Sequence, residues 1–149
     1  MHYHFAGKAE LGHRLVTRYT DRFRSALAAI QASASPNSDK LAAYCDLYRR
    51  TLNDRRMCLC GMLAAEYRTL AQPMRDVVSG FFDQNRAWLA DLLDSGREAG
   101  DLHFTEPSEQ AAKIIIAALE GAMLIAGPLQ DPAILDSVVC RILADFAPS

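Results

Sequence analysis

No apolar run in this chain is both long enough and clean enough to cross a bilayer. The longest, IIIAALEGAMLIAG, carries Glu120 in its middle, and a span needs about 20 predominantly apolar residues. An excess of one charge is also missing. Lys and Arg total 16 against 18 Asp and Glu, a net of −2, which excludes a chain that holds nucleic acid by bulk charge. There is no Gly-rich phosphate loop, no pair of acids at useful spacing and no Ser-His-Asp arrangement, so an enzyme is not expected, nor a cofactor. Internal repeats and low-complexity tracts are absent too. What remains is ordinary for one globular domain of 149 residues: 50% apolar, 23% charged, enough to build a core.

Cysteine is sparse, with four residues and no signal peptide ahead of them. Free thiols in a reducing cytoplasm are the expectation. In CLC, Cys58 and Cys60 stand two apart, which on a helix turns them about 200° away from each other. Without a nearby partner His or a Cys-x-x-Cys spacing, they read as buried structural thiols, and no metal site is expected.

Helical period fills the chain. Leu11, Leu15, Tyr19, Phe23, Leu27 and Ile30 form one stripe over 8–31, with Gly7 as a candidate N-cap and SASPNS as the stop. A second helix is expected over 39–52 on Leu41, Tyr44, Tyr48 and Leu52, then a short apolar helix in MCLCGMLAAEYRTL. Pro73 opens a long helix to about Arg97, closed by Gly100. TEPSEQ starts a fifth helix that stops at Gly127-Pro128, and a sixth runs from Asp131 or Pro132 to Phe146. No segment reads as a strand, so the fold class is all-α.

The last two helices carry apolar pairs rather than single apolar positions in each turn. An arc that wide needs more than one neighbour. Packing against a second copy would bury it as a four-helix bundle, an isologous homodimer interface. The interface candidates are Ile115, Leu119, Met123, Leu135, Val139, Ile142 and Phe146. Glu120 is the one carboxylate placed to be buried, either paired at an interface or serving as the polar feature of a ligand pocket.

The amino end holds the remaining anomaly. HYHFAGKAEL puts two His, a Tyr and a Phe ahead of Lys8, and residues 1–24 hold five basic against two acidic side chains, a net of +3. In order and spacing, Tyr3, His4, Phe5, Lys8 and Leu11 resemble the segment that closes the DNA-binding head of TetR-type transcriptional regulators. Ala6 and His2 depart from that pattern. The helix order and the two apolar C-terminal helices also resemble that family's regulatory domain.

The resemblance implies a TetR-like regulatory bundle of about six helices: residues 1–7 the end of a recognition helix, residues 8–149 an effector-binding and dimerisation domain. Tyr3, His4 and Lys8 would contact DNA phosphate, which positions a protein without reading sequence. A helix-turn-helix head precedes this point in the family, whereas here only Met1 does. Operator DNA is therefore expected as a partner only if a complete head exists. The family's pocket for a small apolar effector points to Tyr44, Tyr48 and Tyr67, with Cys58, Met62, Phe81 and Trp88 as walls. The expected function is a cytoplasmic homodimeric repressor domain. The alternative is a headless ligand-binding or interaction dimer that never touches DNA.

Overall fold

The structure, a computed structural model, describes residues 2–54 and 56–148, with side chains from Gly7 onward. Among these residues there is no strand. Six α-helices follow one another: α1 His2–Ala32, α2 Asn37–Asn53, α3 Leu59–Ala65, α4 Gln72–Ala99, α5 Ser108–Ala126 and α6 Ala133–Phe146. A single 3₁₀ turn, Tyr67–Thr69, joins α3 to α4. None of the helices is long and apolar enough to cross a membrane.

The centre of the bundle is α4, which packs against α5 on one side and α1 on the other, while α2 sits against both α4 and α6. The side of α4 facing α1 and α2 is aromatic. Phe23 meets Phe81 at 5.0 Å between ring centroids, and Tyr44 stacks on Trp88 at 5.7 Å. On the other side, α5 buries Ala111, Ile115, Leu119 and Met123, and α6 adds Leu135, Val139, Ile142 and Phe146.

Two helix ends differ from the sequence reading. Gly7 does not cap α1, because the helix runs through it without a break from His2. The apolar segment before Pro73 is a seven-residue helix and not a longer one. Its first turn is closed when the Gly61 N–H donates to Cys58 Sγ at 3.4 Å, and the 3₁₀ turn takes over after Glu66.

Other ends match their signals. Pro73 lies in the first turn of α4, and Gly100 ends that helix at φ 81°, a left-handed cap that Gly adopts without strain. The N–H groups of Asp101 and Leu102 then return to the Gly96 carbonyl, and Leu102 folds onto Gly96, where a Cβ would collide with it. Asp101 Oδ2 in turn accepts from the Asn37 N–H at 2.6 Å, so the start of α2 is capped by the loop after α4.

The stripe on α1 is buried only in part. Val16 and Leu27 are buried and Tyr19 and Phe23 pack on the core, but Leu11 and Leu15 are 58% and 53% exposed. The helix has outrun the bundle there.

Candidate functional site

A groove of about 810 Å³ is walled by α3, α4 and α5. Ala64, Ala65 and Gly61 on α3 leave the space, because small side chains keep α3 from filling the gap it faces. Phe82 and Val78 form the α4 wall, and Ile116, Ala117 and Leu124 the α5 wall. Tyr67 closes one edge, its hydroxyl 2.8 Å from that of Ser79. At the rim, Arg86 pairs with Asp83 at 2.7 Å and with Glu109, so its charge is neutralised locally. Lys113 lines the mouth and is exposed.

The floor is Glu120. Its side chain is 8% exposed, and neither carboxylate oxygen has a hydrogen-bond partner. Tyr48 and Cys58 face it without closing a bond of normal geometry.

The reason is visible nearby. Tyr44 donates its only hydroxyl proton to Asn85 Oδ1 at 2.6 Å, and Asn85 Nδ2 donates to the Tyr48 oxygen at 3.3 Å. The two hydroxyl oxygens lie 3.4 Å apart, so the Tyr48 proton returns to Tyr44 and closes a ring of three side chains. Apart from the weak S–H of the neutral Cys58 thiol, no donor is left over for the carboxylate. The Gly61 N–H is likewise taken by Cys58 Sγ. Glycine at 61 lets the carboxylate come this close, since a Cβ there would force Glu120 Oε2 to shift.

Burial raises the Glu120 carboxyl above the usual carboxylate range. Burial is also the main cause that pushes the Cys45 and Cys60 thiols up to about 12 and Cys58 higher still. These three cysteines are held as neutral, poorly nucleophilic thiols. Cys140 is exposed on α6.

The raised carboxyl has a measurable consequence. Between the ordinary carboxylate pKa and the raised one, native Glu120 keeps a proton that the unfolded chain has lost. Stability therefore falls as pH rises through that window. Glu120→Gln is expected to remove this slope and to raise stability at neutral pH, because the neutral amide carries no charge for burial to penalise. Melting curves at acidic and neutral pH check it, and a variant less stable than the wild type at neutral pH would contradict it.

The residues expected to line a ligand pocket divide. Only Tyr67 lies on the groove. Tyr44, Tyr48, Cys58 and Phe81 are buried in the packing of the bundle and do not line the main groove, though Tyr48 and Cys58 lie behind its Glu120 floor. Met62 is 48% exposed on the far side of α3. Phe81 and Trp88 do border a smaller cleft of about 340 Å³ between α1 and α4. The rings of Phe23, Tyr44, Tyr48 and Phe81 pack against one another and leave no cavity among themselves, only the small cleft on the α1 side. The signal for the groove was the absence of bulk in GMLAA, which a search for large walls passes over.

Ile115, Leu119, Met123, Leu135, Val139, Ile142 and Phe146 are all buried inside the protomer, none more than 7% exposed. They face α4 and each other. The outer side of α5 instead carries Ile114, Ala118, Gly121 and Ile125 at steps of four, three and four residues, with Ile114 and Ile125 52% and 45% exposed. A Cβ at Gly121 would meet nothing, so a second helix can approach closely there. Tyr3 and His4 belong to α1, but their side chains lie outside the described residues. Lys8 is exposed on the same helix. Among the described residues, no group of three or more His, Cys, Asp or Glu comes together that could hold a metal ion.

Residues 38–142 match the family model described as tetracyclin repressor-like, C-terminal domain. A comparison with curated proteins gave no match. Among solved structures, a TetR-family transcriptional regulator from Agrobacterium tumefaciens is 27% identical, with a TM-score of 0.91 over 98% of this chain and 78% of its own. A TetR transcriptional regulator from Legionella pneumophila is 27% identical, with a TM-score of 0.83 over 97% and 77% of the two chains. The reduced form of NemR from Escherichia coli is 26% identical, with a TM-score of 0.82 over 98% and 78%.

Proposed function

This chain belongs to the tetracyclin repressor-like C-terminal domain family of transcription regulators, and from that premise we propose that it is the effector-binding and dimerisation domain of a repressor. The groove on α3, α4 and α5 takes the effector, and the outer face of α5 and α6 joins two copies in the cytoplasm.

One observation carries the reading. Tyr19 on α1 faces both Cys58 and Glu120, so the floor of the groove reaches the helix that leads towards the amino end. A ligand that moves Glu120 also disturbs the seat of α1. Leu11 and Leu15, exposed a turn apart where α1 leaves the bundle, offer an apolar pair for a preceding DNA-binding head to pack on. His2 to Gly7 then form the end through which that head joins α1, with Tyr3, His4 and Lys8 near phosphate. A tilt of α1 shifts two such heads against half-sites about 34–36 Å apart and releases the operator.

The protein made from its own chromosomal locus provides the test. An intact mass several kilodaltons above 16.4 kDa, with salt-sensitive mobility shifts on its own promoter DNA, is the expected result. A mass of 16.4 kDa with no shift at low salt would remove operator binding and leave a ligand-binding dimer.

A further inference from the structure

A carboxylate buried at the floor of an open groove, with no donor to either oxygen, is a costly arrangement for a protein to keep. Neighbouring groups do not offset it. The Tyr48 proton is committed to the ring with Tyr44 and Asn85, the Gly61 N–H is committed to Cys58, Arg86 is committed to Asp83 and Glu109, and the neutral Cys58 thiol is at most a weak, uncharged donor. Gly61 holds α3 against the carboxylate, where any side chain would push it away. The site holds a carboxyl group in place at a cost to its charged form and supplies nothing positive beside it to offset that cost. What the floor lacks is a donor that carries charge.

We propose that this groove binds a small organic cation, whose ammonium or amidinium N–H groups donate to Glu120 while its apolar body lies against Phe82, Ile116 and Leu124. The inference rests on the groove being the effector site and adds the chemistry of the effector. A neutral alcohol supplies one proton and no charge, so it leaves one oxygen unmet. An anion would be placed beside a buried carboxylate. A cation both satisfies the oxygens and cancels the charge in a setting where water screens little. Lys113 opposes a cation only at the exposed mouth, where salt and water screen it. An apolar wall with one placed polar group is also the usual make-up of a small-molecule site.

Three probes of one shape test this: biphenylmethylammonium, biphenylmethanol and biphenylcarboxylate, titrated calorimetrically into the full chain at neutral pH. The ammonium is expected to bind at least tenfold more tightly than the alcohol, and the carboxylate more weakly than either. Glu120→Gln should close the gap between ammonium and alcohol without changing the affinity for the alcohol. Gly61→Ala keeps the charge but crowds the carboxylate, and should also weaken the ammonium selectively. This second variant decides the matter if the first does not fold. Equal binding of ammonium and alcohol, or a gap that survives in both variants, overturns the cation while leaving the groove as an effector site. Tighter binding of the carboxylate overturns it in the same way. Failure of all three probes to bind at millimolar concentration overturns the groove as a site, and the effector reading with it.

Discussion

Ile125→Glu is expected to turn the proposed dimer into a folded monomer. Light scattering should show the mass fall from twice 16.4 kDa to 16.4 kDa at micromolar concentration, with helical content unchanged. Ile125 is 45% exposed in the protomer, so the new charge costs little until a second copy must cover it. Buried there without a partner, a carboxylate costs about 3–5 kcal/mol, and a symmetric interface would meet it twice. Ile114→Glu, on the same stripe, should behave alike.

The contrast is Ile115→Glu, one residue away and 1% exposed. Its charge would enter the protomer core, where about 3–5 kcal/mol is a large share of a total stability of about 5–15 kcal/mol. Loss of the cooperative melt is expected, not a change of assembly. A wild-type protein that is already monomeric would remove the dimer from the proposal. Dissociation by Ile115→Glu with the fold intact would return the interface to the inner face.

Breaking the buried ring is expected to have the next largest effect. Asn85→Ala takes away the acceptor of the Tyr44 proton and the donor to Tyr48, leaving the two hydroxyls with only their long mutual contact beside a new void. Each orphaned group costs about 1–3 kcal/mol, and the void adds to this, so a loss of about 3 kcal/mol is expected. For a domain of this size the midpoint falls by about 2–4 °C for each kcal/mol. Tyr44→Phe breaks one link and should cost about 1–3 kcal/mol by orphaning Asn85 Oδ1. The double variant should cost less than the sum, because both changes remove the same bond. A strictly additive result would mean that the ring does not act as a unit. Asn85→Ala also frees the Tyr48 proton, which can then turn towards Glu120 and relieve part of its burden. Part of the loss should therefore be regained at neutral pH compared with acid.

The physics of the ring also explains why the pocket was misread from sequence. Tyr44, Tyr48, Phe81 and Trp88 fall at helical spacing on inward faces, and spacing alone does not distinguish rings that line a hole from rings that fill one. Large aromatic side chains gain most by touching each other, and here they do. The cavity opened instead where α3 carries glycine and alanines, opposite Glu120. Glu120 was legible in the sequence as a carboxylate out of place in an apolar helix. That it would lack a donor was not, because this depends on where the protons of Tyr44, Tyr48 and Gly61 go.

The interface shows the same division. The apolar pairs on α5 and α6 announced an arc wider than one neighbour requires, and Ile114, Leu124 and Ile125 are indeed left over on the outside. Which half of the arc turned inward was settled by α4 and α2, which claim Ile115, Leu119 and Met123. A helix offers both faces equally until a neighbour chooses.

Sequence by itself therefore determined the element list among the described residues: six helices, their order, the Pro73 start, the Gly100 stop and the absence of strands. These follow from period and from backbone chemistry that acts within a few residues. The family resemblance was carried in the same local way, by residues in order along one stretch. Tertiary structure alone decided which side of each helix is core, which aromatic rings pack instead of parting, that α1 runs past its bundle, and that Glu120 sits under a groove with nothing to bond. Those outcomes depend on packing between segments far apart in the chain, where shape, volume and the allocation of each proton are shared among several helices at once.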